Sequence, residues 1–213
     1  MSGIVIVTIE RMTACGGLYV GRLLAERLSL PLLDREVLTG AAKLLREDEA
    51  PLSGRDERRS SFWERVLGAF SAGTPDTGYA PPPFPFVEDE DLFSAETTVI
   101  RKAVQENSAV IIGHGAATIL RGHPGLLRVF CHAPLAFRAR RLMELYGLPS
   151  IREAQTAVES MDRNRERYLR TVSGIAWRDA VEYDLCINTA VTGFEKAVDL
   201  ITDLVERKKQ MLT

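Results

Sequence analysis

The sequence predicts an α/β domain built on a doubly wound, five-stranded parallel sheet flanked by helices. Three observations carry that prediction. Apolar, β-branched runs of strand length alternate along the chain with stretches of helical periodicity. The first run leads into a glycine-bearing turn that opens a helix, and a second short strand comes next to complete a βαβ unit. The length of 213 residues, 46% of them hydrophobic and 26% charged, suits one folded domain with a full core.

Taken in order, Gly3-Ile-Val-Ile-Val-Thr-Ile9 shows little polar alternation, as a strand buried on both faces should. Glu10 to Gly17 forms a turn, and from Leu18 to Leu28 apolar residues recur at helical spacing until Pro31 approaches. Leu30 to Leu33 reads as a short strand, and Asp34 stands where it could cap a helix beginning near Glu36. Residues 46–92 change character: charge-dense to Arg59, amphipathic from Ser60 to Phe70, then rich in proline (Pro75, Pro81, Pro82, Pro83, Pro85) without periodicity. That region is expected to be a variable, partly disordered insertion with helical and Pro-rich parts. Regular structure is expected to resume with a helix over 93–107, a strand over Ala109–Ile112 ending in Gly113-His114-Gly115, and a short helix. A strand over Leu127–His132, helices over Leu135–Tyr146 and Ile151–Thr171, a strand over Tyr183–Asn188 and a helix over Gly193–Lys209 complete the chain.

Composition excludes several classes. A formal net charge of −2 gives no bulk electrostatic case for nucleic acid or an anionic membrane surface. Apolar runs fall far short of the roughly 20 residues a membrane span needs, and the chain does not open with a secretory signal pattern. Cys15, Cys131 and Cys186 are odd in number and widely spaced, which fits a reducing, cytoplasmic setting. With no Cys/His pair at zinc spacing, no dedicated metal site is expected. Of the 27 basic residues only those at 43, 102, 196, 208 and 209 are lysine. An arginine side chain grips phosphate oxygens bidentately where lysine offers a point charge, although genomic codon bias yields the same surplus.

In a doubly wound sheet, ligands bind beyond the carboxyl ends of the strands. The residues just past the five strands are a glycine loop at a helix N-terminus, Asp34-Arg35, Gly113-His114-Gly115, His132 and Asn188-Thr189, with arginines in the later helices. Backbone N–H groups and the helix dipole at such a loop favour an anion such as phosphate.

Five segments stand out: Val7-Thr-Ile-Glu-Arg11 with Gly16-Gly17, Leu24 to Glu36, Ile111 to Leu120, Phe130 to Arg138 and Tyr183 to Thr189. Together they resemble the cytidylate kinase-like family of P-loop nucleoside monophosphate kinases. The resemblance spans the chain apart from roughly 46–92, and it implies a P-loop kinase-like fold with a helical lid over residues 137–172. It also implies transfer of the ATP γ-phosphoryl group to CMP, dCMP or a related small acceptor, with Mg2+ carried on the phosphates, by a monomer or homodimer. By the same resemblance Thr13, Ala14, Cys15, Gly16, Gly17, Leu18 and Tyr19 occupy the phosphate-cradling loop. Asp34, Arg35, Gly113 and His114 fall on the acceptor side, and Arg138, Arg141, Asp162, Arg163 and Arg165 in the lid. Asp34, Arg11, Arg163 and Arg165 are the candidate catalytic residues, the arginines neutralising charge on the transferring group.

The departures are specific. A complete loop reads G-x-x-x-x-G-K-[ST], whereas here Gly17 stands at the lysine position with Leu18 and Tyr19 after it. Ala14-Cys15 replaces the usual Gly-Ser, and His114 stands where an arginine is expected. Arg11 is a stand-in for the missing lysine or a surface arginine paired with Glu10 or Glu36. Asp34 is an acceptor-side acid or only a helix cap, and Cys15 a reactive thiol or a small residue that fits. The acidic and basic residues from Asp162 to Arg167 are a lid face or a solvated helix face. These departures keep a second expectation open: a nucleotide-binding regulatory protein without efficient transfer.

Overall fold

The computed structural model of the chain describes residues 3–34, 37–38, 90–105 and 107–212. The elements are β1 (Ile6–Arg11), α1 (Gly17–Leu28), β2 (Leu32–Leu33), α2 (Glu90–Ala103), β3 (Ala109–Ile112) and α3 (Ala116–Ile119). They continue with β4 (Leu126–His132), α4 (Leu135–Tyr146), α5 (Ile151–Ser173), a 3-10 turn (Ala180–Glu182), β5 (Leu185–Asn188), α6 (Thr189–Thr192) and α7 (Phe194–Met211). The expected helix over 60–70 and the Pro-rich stretch lie outside the described residues.

All five strands are parallel, in the order β2-β3-β1-β4-β5. β1 is therefore central, and its side chains are covered on both faces, which is why its sequence is almost continuously apolar. Val5, Val7 and Ile9 join Val20 and Leu24 of α1 and Val198, Ile201 and Val205 of α7 in one buried cluster. Ile6 joins Ile111 and the α2 residues Val99, Ile100 and Ala103 in another. A third groups Phe130 with Leu169, Trp177 and Tyr183 beneath α5. No helix among the described residues is long and apolar enough to cross a membrane.

Strand limits differ from the sequence expectation by one to three residues, and two of the differences have a visible cause. β1 runs on through Glu10 and Arg11, because these residues pair with Phe130 and Cys131 of β4. Met12 N–H then donates to Cys131 O at 2.9 Å. β5 starts two residues later than expected. Tyr183 leaves the ladder to donate its hydroxyl to Trp177 O at 2.7 Å, and Asp184 turns to grip Arg128 through its backbone N–H and both carboxylate oxygens.

The turn that feeds β4 is closed by Gly125. A Cβ there would stand 1.8 Å from the Ile4 carbonyl oxygen, and the Gly125 carbonyl itself accepts Ile6 N–H at 2.9 Å. Backbone occupies that space and cannot rotate away. Gly125→Ala is expected to cost about 1–3 kcal/mol, the usual penalty for overpacking. Thermal melting would register it as a loss of roughly 2–4 °C per kcal/mol for a domain of this size.

Candidate phosphate-binding site

The loop between β1 and α1 gathers at the carboxyl edge of the central strand. Ala14 (φ 59°) and Gly16 (φ 87°) take left-handed backbone conformations that bend the chain from strand into helix. Thr13, Cys15 and Gly17 are buried within the bend. Gly17 has no room for a side chain: a Cβ would lie 2.6 Å from Arg11 Cβ and 3.2 Å from Cys131 Cβ. Lysine is thus excluded at 17 by the stem of Arg11, whose own guanidinium reaches across the sheet edge. Arg11 Nη1 lies 2.6 Å from where a Cβ of Gly113 would be. The Cys15 thiol donates to Cys131 O at 3.2 Å, and burial pushes its pKa up, the opposite of an activated nucleophile.

Residues from two distant helices hold this loop. Asp162 of α5 accepts Thr13 N–H at 2.8 Å through Oδ1 and pairs through Oδ2 with Arg138 Nη1 of α4 at 2.6 Å. Arg138 also donates to Ala133 O at 2.8 Å and Thr13 O at 3.2 Å. Both charged side chains are almost completely buried, and together they satisfy one another and the loop backbone. Arg165, one turn beyond Asp162, donates to Arg11 O at 2.9 Å. Burial, reinforced by the neighbouring Arg11 charge, lowers the Arg165 pKa to about 10. Arg163 lies outside this arrangement: its side chain is 62% exposed, with Glu159 at 4.0 Å on the same helix.

Aromatic residues flank the loop. The Phe194 ring covers Gly16, meets Tyr19 edge to face at 5.4 Å between centroids, and carries the Arg141 guanidinium 4.8 Å above it. Leu18 offers only a hydrocarbon side chain where a complete P-loop has a magnesium-binding hydroxyl, so the loop does not fit a protein-held magnesium ion there.

On the β3 side, Asp34 is buried and caps the turn after β2, its Oδ1 accepting Val37 N–H at 3.2 Å. Arg35 lies outside the described residues. Gly113, His114 and Gly115 are three successive residues with positive φ (75°, 60° and 65°). His114 Nδ1 lies 2.9 Å from Glu96 Oε2, with both side chains largely buried. Glu10 is buried on the adjoining face of β1. Burial raises its pKa against the pull of Arg11, Arg165 and His114 and a hydrogen bond from Gly115 N–H. Sequence reasoning misses Glu10 and Glu96 as site residues. Glu96 shares a helix face with Val99, Ile100 and Ala103, all of them buried, and a carboxylate on an apolar stripe is the available signal.

A parallel sheet with a glycine-bearing loop between its central strand and a helix defines the class: this is a P-loop kinase fold. An uncharacterized protein from Eubacterium ventriosum ATCC 27560 superposes with a TM-score of 0.70 at 23% identity, over 95% of this chain and 98% of that one. Shikimate kinase from Acinetobacter baumannii, in complex with shikimate, gives 0.51 at 15% identity, over 98% and 96%. A gluconokinase from Sinorhizobium meliloti 1021 gives 0.50 at 16% identity, over 97% and 96%. No curated protein matches the chain in sequence. The cytidylate kinase-like family matches residues 6–191, and the chain belongs to that family.

Two variants test the electrostatics. Asp162→Ala leaves Arg138 buried without its partner and Thr13 N–H without an acceptor, an expected loss of about 3–5 kcal/mol in denaturant unfolding. Asp162→Asn keeps an acceptor for Thr13 and is expected to lose less. For Glu10, burial disfavours the ionised form, so the folded protein binds that proton more tightly than the unfolded chain. Its contribution to stability therefore falls as pH rises through the unfolded carboxyl value of about 4.3. Glu10→Gln is expected to match the parent in Tm near that pH and to exceed it increasingly towards neutrality.

Proposed function

We propose that this protein is an ATP-dependent phosphotransferase. It moves the γ-phosphoryl group of ATP to a nucleoside monophosphate, CMP or dCMP, or to a related small acceptor. The observation that carries the reading is the convergence of Arg11 and Arg165 beside the loop, where Arg165 donates to Arg11 O at 2.9 Å and burial, with the Arg11 charge adding to it, loosens its hold on its proton. Like charges held together in a half-buried site are relieved by an anion, and a polyphosphate at the helix N-terminus supplies one. Arg11 takes the place of the absent lysine, entering from the strand end rather than from the helix. The loop residues 13–19 cradle the phosphates, and Tyr19, Phe194 and Arg141 form an aromatic and cationic cluster at the edge of the loop against which a nucleobase packs. Magnesium enters on the phosphates of ATP. Asp34, with Arg35 beside it in sequence, faces the acceptor.

A second reading has its own support. The Thr13 amide and the Arg138 guanidinium, both available to a phosphate in principle, are already engaged with Asp162. A protein whose loop is satisfied internally suits nucleotide sensing better than rapid transfer.

Thermal melting with and without Mg·ATP, and then with CMP or dCMP added, tests both. Saturation to about 100 times Kd stabilises the native state by roughly 2.7 kcal/mol, a Tm rise of about 5–10 °C for this size. Asp34→Asn separates the readings, because asparagine still caps a helix. Under the kinase reading, turnover, followed as ADP release, falls steeply in the variant while Tm is kept. An ATP shift without turnover in either protein supports the sensor, and no shift with ATP overturns both.

A further inference from the structure

We propose that His114 is a general base held by Glu96, and that the group phosphorylated is a hydroxyl rather than a phosphate. The proposal rests on the phosphotransferase reading and changes only its acceptor. Three features of the β3 edge support it.

First, His114 is oriented. A carboxylate only accepts, so the 2.9 Å contact with Glu96 Oε2 places the proton on Nδ1. The other ring nitrogen, Nε2, then carries the lone pair that can take a proton. Second, the charge around it suits this role. Glu96 is buried against the ring, and its carboxylate stabilises the imidazolium that forms when His114 takes a proton. Third, the residue is held in a strained conformation. With φ 60° between two glycines that also have positive φ, a non-glycine residue occupies a backbone region that non-glycine residues seldom hold, and such strain concentrates at working sites.

The step balances with ATP as co-reactant. The acceptor O–H bond breaks as its oxygen forms a bond to Pγ, and the proton passes to His114 Nε2. The bond from Pγ to the bridging oxygen breaks, and ADP leaves with that electron pair. A phosphate acceptor, already ionised at neutral pH, has no proton for such a base to remove.

The test sets hydroxyl compounds that carry no phosphate against nucleoside monophosphates. With Mg·ATP, the parent protein is assayed for ADP release with cytidine, ribose and glycerol on one side, and CMP and dCMP on the other. His114→Asn keeps a residue type that tolerates positive φ, and His114→Arg installs the cation that would hold an acceptor phosphate. The expected result is turnover on a hydroxyl compound that falls about 10²–10⁴-fold in both variants, with the Mg·ATP melting shift unchanged. Turnover confined to the monophosphates, no turnover with any of the five, or hydroxyl turnover that survives in either variant overturns the proposal. Loss of the ATP melting shift in the parent would instead remove the phosphotransferase reading on which it rests.

Discussion

The buried pairing of Arg138 with Asp162 is the interaction on which the arrangement of the site depends. Neither charge could remain where it is alone, since an isolated ion in the interior costs several kcal/mol to desolvate. The geometry turns that cost into structure. One carboxylate oxygen takes the guanidinium, the other takes the amide of Thr13, and the guanidinium returns to the Thr13 carbonyl. A residue of the β1–α1 loop is thereby held at both its amide and its carbonyl by α4 and α5. The position of the loop, the inward face of α5 and the approach of Arg165 are all set by that grip.

Around this point the charges divide. Arg11, Arg138 and Arg165 are close enough to the loop for the Cys15 thiol to feel all three. Across the edge of β1, the buried Glu96 carboxylate holds His114. Two neighbouring regions of opposite preference lie at the ends of β1 and β3, one suited to an anion and the other to a group that gives up a proton. That division gives the proposed transfer reaction its physical content, since a simple binding site needs only the first region.

Much of the fold is legible in the sequence because β1, β3 and β4 are buried on both faces and so write themselves as apolar runs. The loop is legible because glycines and a helix start occur together. Asp34 is legible in its structural capacity, since a cap acts across three residues. What stays hidden is what acts at long range. Thr13 and Asp162 are 149 positions apart, and no local pattern joins them. Arg163 and Arg165 look equivalent in sequence, yet two helical residues differ by about 200° in direction. The one three residues after Asp162 faces the loop, while its neighbour faces solvent. The glycine at 17 reads as a missing lysine. In the structure it makes room for Arg11, a relation visible only once β1 is known to extend through that residue.

The tether at Thr13 also makes the loop and the helices α4 and α5 a single lever. An anion that draws the Thr13 amide towards itself competes directly with Asp162, and release of Asp162 frees Arg138 and the helix behind it. By linkage, whatever displaces α5 must loosen the loop by the same free energy with which loop occupancy displaces α5. The exchange rate of one amide proton, on a residue that contributes nothing obvious to chemistry, therefore reports the position of two helices.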